Sequence, residues 1–202
     1  MAGGPMILTI AGFKGGVGKS TSAVHLAAYL ADLAPTVLVD GDPNRSATGW
    51  AKRGPLPFKV VDERQIARAA REHEHVVVDT PARPSREDLE ALADGCDLIV
   101  LPSLPNLLDL DALMGIVETL TAIGTDKFRV LLTIVPPKPA RDGDEARAAL
   151  AEAGLPVFAG SVRRATAFAK AAVGGCIVRD VKDARALDCW ADYAAVGREI
   201  LS

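Results

Sequence analysis

The stretch MILTIAGFKGGVGKST, residues 6–21, decides how the rest of the chain is read. Its apolar run at 6–10 has the length of a strand, and Gly15, Gly16 and Gly18 follow between two lysines, Lys14 and Lys19. Glycine reaches positive φ at little steric cost and has no Cβ to hold phosphate oxygens away. The amides of such a loop point inward as an anion nest, and a helix opening at Ser20 adds its positive N-terminal end. Residues Lys14, Gly15, Gly16, Val17, Gly18, Lys19, Ser20 and Thr21 therefore form a candidate polyphosphate loop. Lys19 stands where the lysine of a P-loop reaches the β- and γ-phosphates, and Ser20 where a hydroxyl ligates Mg2+. The general pattern GxxxxGK[ST] would want glycine at position 13, which is Phe13 here. Lys14 is left as a second cation in a loop that one lysine usually serves.

Outward from this loop, apolar runs recur at 36–39, 58–61, 75–78, 98–101, 129–135 and 156–159, separated by alanine-rich stretches of helical spacing such as 20–33 and 109–123. Alternation of this kind predicts an α/β fold, a mostly parallel twisted sheet with helices on both faces, and with the glycine loop it is read as a single-domain P-loop NTPase over residues 1–202. The runs are continuous, as expected when both sides of a parallel sheet are covered. Ligands of such sheets bind beyond the carboxyl ends of the strands. Those ends here are the glycine loop, Asp40-Gly41-Asp42-Pro43 and Asp79-Thr80-Pro81, so one rim gathers the candidate site.

Composition narrows the class. In 202 residues, 49% are apolar and 24% charged, enough for a packed core and far from a disordered chain. No run reaches the roughly 18 apolar residues of a membrane span, and the N-terminus lacks the basic region of a signal peptide, which predicts a cytoplasmic protein. Cys96, Cys176 and Cys189 form no CxxC pair and read as inert thiols, while His25, His73 and His75 have no partner at metal-ligand spacing. With a net charge of −3, any nucleic-acid binding must come from a local basic patch.

KGGVGKS resembles the deviant Walker A box of the ParA/MinD class of P-loop ATPases, whose members commonly lack the first glycine. The resemblance runs over nearly the whole chain and is greatest to short ParA-type, ParF-like partition ATPases. It implies ATP and Mg2+ as ligands and a homodimer in which the early lysine, here Lys14, reaches the phosphates bound by the partner subunit. VLVDGDPNRSAT (37–48) is similar to the family's switch I segment, which implies a water held by Asp42 and Asp40 near the magnesium shell. HVVVDTP (75–81) is similar to Walker B, with Asp79 holding Mg2+ through water. The implied catalytic set is Lys14, Lys19 and Asp42, and the implied metal set Ser20, Asp40 and Asp79. LLTIVPPKP (131–139) corresponds to the segment that holds adenine in relatives, which points to Pro136 and Pro137.

The resemblance further implies a cycle in which the ATP dimer binds DNA without sequence preference and a ParB-like adaptor stimulates slow hydrolysis, placing the protein on the nucleoid. Arg163, Arg164, Lys170, Arg179, Lys182 and Arg185 are the candidate DNA contacts. A strand beginning near residue 6 is expected to leave no room for the N-terminal helix-turn-helix domain of longer partition ATPases. The expected cargo is plasmid or chromosomal DNA, with a protein cargo such as a microcompartment or chemotaxis cluster as the alternative. A MinD-like membrane role would need a lysine-rich amphipathic last helix. The stripe of Leu187, Trp190, Tyr193, Gly197 and Ile200 is instead backed by Asp188, Asp192 and Glu199, as in a helix docked on the sheet.

Overall fold

Continuous Val, Ile and Leu runs form strands where helices cover both sides of a sheet. In the computed structural model of the chain, which describes residues 4–202, six runs do so. The strands are β1 (Met6–Gly12), β2 (Thr36–Asp40), β3 (Lys59–Asp62), β4 (His75–Ala82), β5 (Leu98–Ser103) and β6 (Phe128–Leu132). All pairings are parallel, in the order β3-β2-β4-β1-β5-β6. The connecting helices are α1 (Lys19–Ala31), α2 (Ser46–Arg53), α3 (Ile66–Glu72), α4 (Arg86–Gly95), α5 (Leu107–Ile123), α6 (Asp142–Glu152), α7 (Thr166–Gly174) and α8 (Ala186–Ile200).

Alternate strand residues divide the core between the two faces. Leu8, Ile10, Leu38, Val77, Val100 and Leu131 pack with Val24 and Leu26 of α1 and with Tyr193 and Val196 of α8. Ile99, Leu101, Val130 and Leu132 pack on the other side with Leu89 of α4 and Ile116 and Leu120 of α5. Gly197 lets α8 cross α1 closely, since a Cβ there would collide with the Tyr29 ring. This register places Asp40 directly opposite Asp79, and Ile10 on the other flank of Asp79, so three strand ends open on one edge.

Three expectations are corrected. The run at 156–159 is no seventh strand: among the described residues it contributes one bridge, Val157 to Val130, because proline and glycine close it at both ends. The run at 129–135 stops as a strand at Leu132, and Ile134 turns to φ 53 before Val135 bridges to Arg163. In α8 the buried stripe is Ala186, Cys189, Tyr193, Val196 and Gly197; Leu187 is 72% exposed and Trp190 only half-buried. No helix of the described residues is long and apolar enough to cross a membrane.

Candidate nucleotide site

The loop between β1 and α1 gets its shape from two left-handed residues, Gly16 at φ 81 and Gly18 at φ 86, the latter serving as the N-cap of α1. Gly15 was expected to share this conformation and does not, and a Cβ there would meet open space. Lys19, almost fully buried, folds back to donate from Nζ to the Lys14 carbonyl at 3.0 Å, which braces the loop from inside. Burial depresses the Lys19 ammonium below its usual range, while Asp79 and Asp42 draw it back up. An ammonium held among two carboxylates at a helix N-terminus suits a ligand of high negative charge.

Thr133 is a part of this loop that sequence reading passed over. It lies at the end of β6, fully buried, and its hydroxyl donates to the Val17 carbonyl at 2.8 Å, with the Ser103 carbonyl at 3.2 Å. Its only sequence signal is a lone polar residue ending an apolar strand. His25 in α1 is likewise structural: Nε2 accepts from the Val178 amide at 3.1 Å, so Nδ1 carries the proton donated to the Thr21 carbonyl at 2.7 Å. The ring stacks on Tyr193, whose hydroxyl meets Ser22, and burial drops the His25 pKa to about 4.

The two acidic strand ends are unequal in their bonding. Asp42 accepts at Oδ1 from the Asn44 amide and side chain at 2.8 and 2.9 Å. Asp40 has one oxygen bonded and Oδ1 bare, and Asp79 has both oxygens bare; among the described residues these are the buried carboxylate oxygens without a hydrogen-bond partner. Burial pushes Asp79 up to about 7, with the nearby Ser20 hydroxyl, outside hydrogen-bonding geometry, pulling the other way. Bare buried oxygens need a compensating charge or donor. A hydrated cation beside Ser20 would supply both, and the all-oxygen donor set of Ser20, Asp40 and Asp79 fits Mg2+. Among the described residues no group of three His, Cys, Asp or Glu is placed to hold a metal alone, in keeping with an ion carried largely by phosphate oxygens.

Lys14 sits away from Lys19's position. Its Nζ donates to the Leu108 carbonyl at 2.7 Å and lies 3.4 Å from Asp109, at the start of α5. Beside the loop lies a cavity of about 150 Å³ lined by Gly18, Thr21, Ile134, Arg164 and Phe168 among others. Pro136 and Pro137 line the adjoining cleft with Lys138 and Arg185. Of the basic candidates, Arg163 is locked bidentately on Asp192 and also faces Asp188, Lys170 pairs with Asp183, and Arg179 pairs with Asp32 and lies over Trp190. Arg164, Lys182 and Arg185 are exposed and make no ion pair among the described residues. The six do not form one free basic face.

A model of the CobQ/CobB/MinD/ParA nucleotide binding domain matches residues 8–175. The chain belongs to that family. It is 36% identical to the maintenance of carboxysome distribution protein A of Gloeobacter kilaueensis, over 97% of this chain and 94% of the relative. It is 36% identical to protein ParA of Rhizobium radiobacter, over 51% of this chain and 50% of the relative. Among solved structures, an ATP complex of Cyanothece McdA superposes with a TM-score of 0.80 at 15% identity, covering 98% of this chain and 97% of the other. The ParA/MinD family member is thus a nucleotide-binding protein on a parallel six-stranded sheet.

Proposed function

We propose that the chain is an ATP-driven positioning switch. In this reading ATP binds with Mg2+ at residues 14–21, two copies join around it, and hydrolysis lets them part. The observation that carries it is the set of three bare carboxylate oxygens on Asp40 and Asp79, gathered beside Lys19 and Ser20 where the β1 loop meets α1. Ser20, Asp40 and Asp79 would hold the ion, directly or through its water, and the ion would neutralise charge developing on the phosphates. Asp42, fixed at Oδ1 by Asn44, keeps Oδ2 for the attacking water. Lys14 leaves its seat on α5 to reach the phosphates of the second copy.

Such a dimer is favoured by mass action only while triphosphate is bound, which makes nucleotide the control of assembly. Slow unassisted hydrolysis fits an occupied Arg45, the arginine of the segment after β2, which donates to the Asp40 carbonyl and pairs with Asp62. A partner protein would supply the missing stimulus, as in arginine-finger systems.

The sequence reading put DNA first as cargo and a protein body second. We reverse that order, because the likeness to a carboxysome distribution protein spans almost the whole of both chains, whereas the likeness to ParA spans half. The cargo is then a protein microcompartment tethered through its own adaptor, and non-specific DNA is the matrix on which the dimer rides. Arg164, Lys182 and Arg185 are the candidate matrix contacts. A strain lacking the gene should show clumped microcompartments and unchanged plasmid retention. Plasmid loss with normally spaced microcompartments would restore the partition reading, which the Rhizobium relative favours.

A further inference from the structure

The segment after β2 holds the Asp40 carboxylate in one fixed orientation. Thr48, in the first turn of α2, donates twice to the same oxygen: its amide to Asp40 Oδ2 at 2.7 Å and its hydroxyl to that oxygen at 2.6 Å. Both donors go to Oδ2, so the carboxylate plane is set and Oδ1 is the oxygen left without a partner. That bare oxygen lies on the strand paired with Asp79, in register with it.

Thr48 can set an orientation because α2 is itself pinned. Ala47 and Trp50 are buried in the main core, and the Trp50 indole donates to the Cys176 carbonyl at 3.0 Å. Arg53 at the other end donates to the Ala172 carbonyl at 2.6 Å. Arg45 before the helix takes φ 51, an unusual conformation for a non-glycine residue, and ties the β2 end to β3 through the Asp40 carbonyl and Asp62.

We propose that Thr48 is a positioning residue: it aims Asp40 Oδ1 at the hydrated magnesium ion of a bound nucleotide. This rests on the ATP and Mg2+ reading given above. Thr48 would act through Asp40, to which both its donors go, as outer-shell partners orient the ligands of other metal sites. A helix-end residue that only closed a turn would leave the Mg2+ response unchanged.

The test is a titration of Mg2+ into the full chain with a fluorescent non-hydrolysable ATP analogue, read as nucleotide affinity against Mg2+ concentration, with thermal melting alongside. Thr48→Val removes the hydroxyl and keeps size and the amide donor. It should raise the Mg2+ concentration needed for tight nucleotide binding by roughly 10- to 100-fold, the usual cost of losing such a partner. Affinity in the presence of EDTA should stay at the parental value, and Thr48→Ser should restore the Mg2+ response. Thr48→Ala is the second variant should the valine fail to fold, with the same result expected. Equal Mg2+ curves for parent and Thr48→Val or Thr48→Ala would overturn the proposal, as would an equal loss with and without Mg2+, or no rescue by serine. A parent protein that binds the analogue identically with Mg2+ and EDTA would instead remove the ATP and Mg2+ reading itself.

Discussion

Asp79 gives the sharpest quantitative test, because its function and its stability effect run in opposite directions. Its carboxylate is fully buried with both oxygens bare, and burial pushes its pKa from the usual 3.8 up to about 7. That rise corresponds to about 4 kcal/mol of destabilisation once the group is ionised. The sign follows from the direction of the shift. A raised carboxylate pKa means that full stability is present below pH 4 and is lost as pH rises through 7. Asp79→Asn removes the charge but buries an amide, which itself costs about 1–3 kcal/mol when poorly bonded. A net gain of about 2 kcal/mol at pH 8 is expected, or roughly 4–8 °C in Tm for a chain of this length. Differential scanning fluorimetry of the nucleotide-free protein from pH 5 to 8 reads this directly. The variant should melt higher at pH 8, the two should converge toward pH 5, and the variant should lose the added stabilisation that Mg2+ gives the nucleotide-bound parent. A variant that melts no higher than the parent at pH 8, or whose advantage is the same at pH 5, would refute the reasoning.

Other perturbations separate the remaining roles. Lys14→Ala should bind nucleotide as the parent does yet stay monomeric by light scattering with a non-hydrolysable analogue; normal dimerisation of the variant contradicts a role in trans. Asp42→Ala should lower steady-state phosphate release by on the order of 100-fold, the scale of a lost general base, while the ATP-bound dimer persists; hydrolysis at the parental rate removes Asp42 from the mechanism. The imidazole of His25 should remain neutral at pH 5.5 in an NMR titration, with a midpoint near 4. A lowered histidine pKa means the unfolded chain takes up the proton first, so about 3 kcal/mol of stability is lost as pH falls from 6.5 to 4. A midpoint near 6.5 contradicts the buried pairing with Thr21 and Val178.

What could be read from the sequence was what local pattern determines. The glycine loop, the acidic ends of β2 and β4 and the apolar continuity of the central strands depend on neighbours within a dozen residues, and each is found where expected. The partners of the basic residues were hidden because they are tertiary: Arg179 meets Asp32 across 147 positions and Arg163 meets Asp192 across 29. No spacing rule reveals such pairs, and a helix-borne arginine reads the same whether solvated or locked. Leu187 was misplaced because the buried stripe of α8 runs through Ala186, Cys189, Tyr193 and Val196, one residue out of phase with the Leu187–Trp190 stripe expected. Thr133 and Thr48 were missed for a shared reason. A single threonine carries no pattern, and its role appears only when the fold brings its hydroxyl to the Val17 carbonyl or to Asp40.

Sedimentation velocity of the full chain with no nucleotide, with ADP, and with a non-hydrolysable ATP analogue plus Mg2+ bears most directly on whether a triphosphate joins two copies. The expected result is a species of twice the monomer mass in the third condition alone, absent from Lys14→Ala. A monomer in all three conditions, or a dimer indifferent to nucleotide, contradicts it.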